Sequence, residues 1–445
     1  MRTHTDISIA VPDVLLPKAG TDLSRWAVIA CDQHTSDPAY WQKAAALIGD
    51  APSTLHLVYP EVYLNEADPD ARIARIRETM RRYVDEACFR ETTGFVYLER
   101  TVGTHVRRGL MLCLDLEQYD FNKGSTSPIR ATEGTILDRL PPRVRIRKGA
   151  TIELPHIMVL VDDPTDSVLG PLASARETMP SLYDFELMLG SGHLRGHLVD
   201  DAALEAGVVQ ALGALARPEQ FAAKCNVPNG TPVLHYAMGD GNHSLATAKT
   251  IWEQAKAEAS DKAAILNSPL RWALVELVNL HDPALAFEAI HRVVFEVAAG
   301  RSIAQALEAQ YPGRVRVQTA SSFAEVKALV DAQAGATHKI GLCTSEGFAV
   351  LEVAAPEHNL PVGTLQVALD VFMKNNGARE LDYVHGDEPV VSLGQKHGNA
   401  GIYLPAMKKQ DLFRTVVLDG ALPRKTFSMG EAWEKRFYLE ARRIG

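Results

Sequence analysis

Apolar positions recur along the chain in two spacings. Trp26–Cys31 (WAVIAC), Phe95–Leu98, Gly109–Leu114 and Ile157–Val161 are short, nearly unbroken apolar runs, the pattern of buried strands. Between Ala71 and Ala87 the spacing is three or four instead. Ile73, Ile76, Met80, Tyr83 and Val84 form one side of a charged helix. Further helices are expected over Val199–Ala216 and Ser321–Ala334, and a strand pair or turn over Tyr183–Gly196. Leu270–Leu280 is strongly apolar, Ala286–Val297 is amphipathic, and Ile340–Val353 suggests a hairpin. Beyond Leu360 several polar turns appear. Strands alternating with helices predict an α/β (α+β) fold with mixed sheets. We expect an N-terminal α/β portion over 1–125, a middle portion over 126–260 and a C-terminal α+β portion over 261–445.

The segment GDGNHSLATAKTIWE, Gly239 to Glu253, follows the short apolar run TPVLHYAM and precedes Leu245, Ala248, Trp252 and Ala255 at helical spacing. Asp240–Ser244 therefore occupies a strand-to-helix turn. Open α/β sheets place ligands at such turns, and the unpaired amides of a first helical turn favour an anion. Glycines there let a backbone approach a ligand closely. The plainer reading is a turn in which Asn242 or Ser244 caps the helix.

Composition narrows the classes. The chain has 445 residues, 46% hydrophobic and 23% charged, with a formal net charge of −9. This describes a globular chain of more than one core, and its acidity argues against a broad nucleic-acid surface. No apolar run approaches the ~18 residues of a membrane span. The N-terminus, with Asp6 and Pro12, lacks the unbroken apolar core of a signal peptide. Cys31, Cys88, Cys113, Cys225 and Cys343 are dispersed, with no C-x-x-C pair, as in a reduced, cytoplasmic protein. Oligomeric state is not readable.

Common catalytic signatures are missing. There is no H-E-x-x-H, no G-x-S-x-G, no P-loop and no kinase glycine loop. What remains is a set of acids and bases in turns: Asp240 with His243, and Glu133 in a polar stretch. Arg139, Arg143, Arg145, Arg147 and Lys148 form a basic run, and Arg424 with Lys425 a basic turn. The basic groups fit a phosphate site or a solvated face, and Glu133 by itself fits a solvated loop.

GDGNHSLATAK resembles the Asp-Gly-His-His-Arg signature of the ParB/sulfiredoxin-like group, in particular free L-serine kinases and domain-of-unknown-function family 1015. Trp26–Trp41, Gly49–Leu64, Glu153–Asp163 and Leu422–Thr426 resemble further blocks of that family, so the likeness covers nearly the whole chain. It implies a ParB/sulfiredoxin-like catalytic core in the middle portion. It also implies nucleotide-dependent phosphoryl transfer to L-serine, or the reverse from phosphoserine, with ATP or ADP and with Mg²⁺ accompanying the nucleotide. The family's essential Asp and second His fall on Asp240 and His243, and its catalytic Glu on Glu133. Asp240 would hold Mg²⁺ or the serine ammonium. Gly239, Gly241, Asn242, Ser244, Arg139, Arg424 and Lys425 would contact the nucleotide. Thr132, Asn242 and Ser244 stand where the family has His, His and Arg. Two alternatives accompany this expectation: a non-enzymatic ParB-like nucleotide- or DNA-binding regulator, and a hydrolase of a phosphorylated metabolite.

Overall fold

A computed structural model describes residues 1–333, 335–429 and 434–445. The chain folds as a mixed α/β protein in two compact units. The first is Met1–Leu285 with the described part of Gly430–Gly445, and the second is Ala286–Met429. This division differs from the three portions expected. No boundary falls near residue 125, because strands on either side of it share one sheet. Nor does the C-terminal portion begin at 261: Trp272–Asn279 lies inside the first unit's sheet, and the last residues return to that unit.

The first unit is built on an eleven-stranded mixed sheet. Its main path runs Ser181–Glu186, His193–Val199, Phe95–Val102, His105–Asp115, Trp272–Asn279, Met158–Val161, Tyr236–Asp240, Ile129–Arg130 and Tyr119–Asp120. Alternate residues of the central strands face opposite cores. Val96, Leu98, Met111, Cys113, Trp272 and Leu274 pack with Trp26, Trp41, Ile73 and Met80 on one face. Phe95, Tyr97, Leu110, Leu112, Ala273, Val275 and Leu277 pack with Leu172, Leu212 and Trp252 on the other. A strand covered on both faces has no polar side, so these segments read as continuous apolar runs. The helix expected over Ala71–Ala87 spans Pro69–Asp85. Asp68 caps it by accepting from Ala71 N at 3.0 Å, and Pro69 starts its first turn.

The run Trp26–Cys31 is a strand only at Val28–Ile29, which pairs with Phe437–Tyr438. Leu23–Trp26 is instead one helical turn capped by Asp22. The basic run is a short helix, Leu140–Arg147, with prolines in its first turn. Tyr183–Gly196 falls within the antiparallel pair Ser181–Glu186 and His193–Val199.

A cluster of charges is buried in this core around Glu276. Glu276, in the apolar strand Trp272–Asn279, is 1% exposed and meets both Arg107 and Arg436. The room its side chain needs comes from Gly109, where an added Cβ would stand 2.6 Å from Glu276 Oε1. Arg436 Nη1 donates to Glu276 at 2.6 Å, Nη2 to Glu440, and Nε to the carbonyl of Pro155 at 2.9 Å. Burial raises the Glu276 carboxyl, but Arg107 and Arg436 outweigh it and hold the group below its ordinary range.

The second unit carries a seven-stranded sheet. Its path is Val315–Ala320, Gly347–Ala354, Thr337–Thr344, Ala400–Tyr403, Phe287–Val297 and Ala378–His385, and Phe427–Met429 pairs with Phe287–Val297. The amphipathic stretch near Ala286–Val297 is thus a strand. The expected hairpin is Thr337–Thr344 with Gly347–Ala354. The helix expected over Ser321–Ala334 is Phe323–Asp331, capped by Ser322, and residue 334 lies outside the described residues. Val326 and Val330 of that helix pack against Cys343 and Val350 of the hairpin.

Candidate functional site

The motif sits where the alternation of spacings puts it. Strand Tyr236–Asp240 ends at the acid, and helix Asn242–Glu258 begins two residues later. Gly241 makes the turn. Its φ is +77°, and a Cβ there would stand 3.1 Å from Ile157 Cα and 3.5 Å from His156 Cδ2. Both the backbone conformation and the close neighbour require glycine. Gly241 itself is the cap residue, and no side chain caps the helix, so neither Asn242 nor Ser244 has that role. The unpaired amides also differ from expectation. Leu245 N donates to Gly241 O at 3.1 Å, inside the helix, while Gly241 N donates to Asp240 Oδ1 at 2.9 Å. Gly239, Asn242, His243 and Ser244 are all half-buried. Among the described residues, buried Asn242 Oδ1 and His243 Nε2 have no hydrogen-bond partner.

Glu133 follows a neighbouring strand. Ile129–Arg130 runs parallel to Tyr236–Asp240, pairing Ile129 with Tyr236 and Arg130 with Ala237. Arg130 anchors this start through the carbonyls of Ser127, Pro232 and Val233. Two residues on, Thr132 Oγ1 donates to Met238 O at 2.8 Å. Parallel strands end at the same edge, so Glu133, half-buried, leaves the sheet on the side where Asp240 does. Thr132, which stands where the family's histidine is expected, is here a buried link between the two strands.

Distant segments complete the edge. Lys435 Nζ lies 3.1 Å from Asp240 Oδ2, the two side chains being 19% and 26% exposed. Its backbone neighbour Arg436 is fixed by Glu276, Glu440 and Pro155, and Arg436 O accepts from Ala30 N at 2.9 Å. His156, beside Gly241, meets Tyr438 OH through Nδ1 at 2.6 Å and faces Asp32 Oδ2 through Nε2 at 3.6 Å. None of Asp32, His156 and Lys435 stands out in the sequence. The only signal was that Asp32 and His156 lie in two of the family-like blocks.

The basic run supplies less free charge than its composition suggests. Arg143 pairs with Glu61, Arg145 with Asp70, Arg147 with Glu153, and Lys148 with Glu258 at 3.7 Å. Arg139 has no ion pair among the described residues, and its carbonyl accepts from Arg143 Nη1. Arg424 and Lys425 belong to the second unit. There Arg424 pairs with Asp370, and Lys425 is in a left-handed conformation with φ +54°.

Burial lowers the pKa of His243, and Arg143 and Arg139 push it further down against the opposing pull of Asp32. The imidazole is therefore neutral near pH 7, able to donate from one ring nitrogen and accept at the other. For a resident metal the fit is poor. Among the described residues no three His, Cys, Asp or Glu side chains are grouped to hold an ion. Asp240, expected as a magnesium ligand, already meets an ammonium and an amide. Magnesium carried on nucleotide phosphates needs only one or two protein carboxylates. Among the described residues, no helix is long and apolar enough to cross a membrane.

A strand-turn-helix site on a mixed sheet, lined by acids, an imidazole and a lysine, defines the class. The model of the family described as "Protein of unknown function (DUF1015)" matches residues 15–372, and the chain belongs to that family. No curated protein matches the chain. Among solved structures, it is similar to a mutant free serine kinase in complex with ADP. The identity is 10% and the TM-score 0.39, over 74% of this chain and 91% of that one. A mutant free serine kinase in complex with AMP gives 10% and 0.38 over 74% and 91%. A conserved hypothetical protein from Pyrococcus furiosus gives 10% and 0.34 over 74% and 90%. Likeness at this level carries neither activity nor substrate across to this chain.

Proposed function

We propose that this protein is a nucleotide-dependent phosphotransferase for a small hydroxy amino acid, acting as an L-serine kinase or, in reverse, on phosphoserine. In this reading residues 126–260 are the ParB/sulfiredoxin-like catalytic part of the first unit, completed by strands from outside that range. The observation that supports it best is the meeting of acids and a cation at one sheet edge. Glu133 and Asp240 end parallel strands, His243 opens an uncapped helix, and Lys435 lies on Asp240.

Phosphoryl transfer asks little covalent chemistry of a protein. It needs an acceptor hydroxyl in line, a base for its proton, and donors around the phosphoryl oxygens. The serine hydroxyl oxygen attacks the terminal phosphorus of ATP. An O–P bond forms as the bond to ADP breaks, and the hydroxyl proton passes to Glu133. Neutral His243 and the amides at the start of helix Asn242–Glu258 donate to the phosphoryl oxygens, with Arg139 adding charge nearby. ATP or ADP enters as substrate, with Mg²⁺ on its phosphates.

The test incubates purified protein with L-serine and ATP, with phosphoserine and ADP, and with phosphoserine alone. Nucleotide-dependent interconversion of serine and phosphoserine is the expected result. Phosphate release from phosphoserine without nucleotide would replace transfer by hydrolysis. Salt-sensitive retention of random duplex DNA with no turnover in any arm would replace catalysis by nucleic-acid binding.

A further inference from the structure

Asp240 does not have its carboxylate to spare. One oxygen faces the Lys435 ammonium at 3.1 Å, and the other accepts from Gly241 N at 2.9 Å. Glu61, whose backbone amide donates to Cys31 O at 2.8 Å, is paired with Arg143. Asp32 is different. Its Oδ1 accepts from the neutral amide of Gln33 at 3.0 Å, and among the described residues its Oδ2 has only the His156 imidazole within ion-pair range, at 3.6 Å. Its side chain is 28% exposed. It stands close enough to His243 to act on that ring's charge, and His156 lies against Gly241 of the motif.

The support behind Asp32 is elaborate for a surface acid. The His156 side chain is only 10% exposed, held at Nδ1 by Tyr438 and facing Asp32 with Nε2. Tyr438, 2% exposed, meets Nδ1 at 2.6 Å while its oxygen accepts from Cys31 N at 3.1 Å. A proton on Nδ1 would turn the bare Nε2 lone pair toward a carboxylate. A proton on Nε2 lets Tyr438 donate to Nδ1 and lets Nε2 donate toward Asp32, so both contacts are satisfied. Three segments far apart in the chain thus hold one carboxylate at the motif with no Lys or Arg in ion-pair range among the described residues.

Resting on the phosphotransferase reading, we propose that Asp32 is a substrate-contacting residue of this site. It takes the cationic amino group of the acceptor, the role first expected of Asp240, and His156, locked by Tyr438, is its positioning residue. Asp240 instead holds Lys435 in place.

Calorimetric titration with three probes tests this on the full chain: L-serine, ethanolamine, and 3-hydroxypropanoate, which lacks the amino group. Asp32→Asn should weaken L-serine and ethanolamine about 10- to 100-fold, the effect of removing one charge-assisted contact, and leave 3-hydroxypropanoate within about twofold. His156→Ala should shift the same preference in the same direction. His156→Gln, which keeps a donor near Nε2, should restore part of it, a recovery a merely structural histidine would not show. An Asp32→Asn protein that keeps the preference for amino-bearing probes, or loses all three equally, overturns the inference. If wild-type protein turns over serine with ATP in that case, the phosphotransferase reading survives alone. If wild-type protein neither binds the probes nor turns over serine, both fall.

Discussion

Arg436→Met removes the centre of the buried charge network and should cost the first unit about 3 kcal/mol. Arg436 is 5% exposed, and its carboxylate partners, Glu276 and Glu440, are 1% and 0% exposed. Breaking a buried pair by removing one partner costs roughly 3–5 kcal/mol, because the other charge stays desolvated. Here the remaining contacts soften the loss. Glu276 keeps Arg107 at 3.3 Å and Glu440 keeps the hydroxyl of Tyr183, which places the expectation near the lower end. Adding Glu440→Gln to Arg436→Met removes the stranded charge and should recover at least ~1 kcal/mol of coupling. The assay is urea unfolding followed by tryptophan fluorescence. Trp26, Trp41, Trp252 and Trp272 belong to the first unit and residues 286–429 contain no tryptophan, so the signal does not report the second unit. A slope in urea equal to that of the wild type shows that the change is one of stability. A loss below ~1 kcal/mol, or strict additivity in the double variant, would refute the account of the network.

Three further outcomes follow from the same structure. Gly241→Ala should destabilise by at least the ~1–2 kcal/mol of a left-handed non-glycine residue, with the 3.1 Å approach to Ile157 adding to it; a thermal melt unchanged from wild type would contradict both. Glu133→Gln should lower turnover about 10²–10⁴-fold, the span of a general base, with an unchanged circular dichroism spectrum, and wild-type kcat would remove Glu133 from the chemistry. His235, whose burial lowers its pKa to about 3, makes the first unit acid-sensitive. Below pH ~6.5 the unfolded chain takes up a proton that the folded one refuses, so stability is full above that pH and drains as pH falls toward 3. At pH 5 the loss is about 2 kcal/mol. His235→Phe should flatten the decline in urea midpoint between pH 6.5 and 5, and an equally steep decline in the variant would show that other groups cause it.

The sheet strands and the motif's turn were legible because each rests on local spacing. Phe95–Leu98 and Gly109–Leu114 are apolar without a break since both faces are covered, and glycines flank Asp240 since only glycine fits at 241. The extent of Trp26–Cys31 was not legible. A strand is as long as its partner allows, and the partner, Phe437–Tyr438, is two residues long and about four hundred residues away in sequence. The same remoteness hid Lys435 and Tyr438, which read as ordinary members of a charged, aromatic C-terminal stretch. The capped state of the basic run was hidden too, since Glu61, Asp70 and Glu153 lie in other elements. One clue was present: Glu276 is the single acid in the run Leu270–Leu280, set within the apolar stretch Trp272–Val278. An acid in such a place needs a buried cation, although nothing nearby says that Arg436 supplies it.

The first unit is discontinuous, and this governs the order in which a ribosome can complete it. Arg436, Tyr438, Glu440 and Arg442 leave the exit tunnel only after residues 286–429 have been made. Until then Glu276 has only Arg107 and Glu153 only Arg147, each short of its second arginine, and strand Val28–Ile29 waits for its pairing edge. Closure of this half therefore waits until 286–429 have been synthesised, and those residues form a compact unit of their own. Truncation before Lys435 would strip the unit built from the opening 285 of the partners of Asp240, Glu276 and Val28–Ile29.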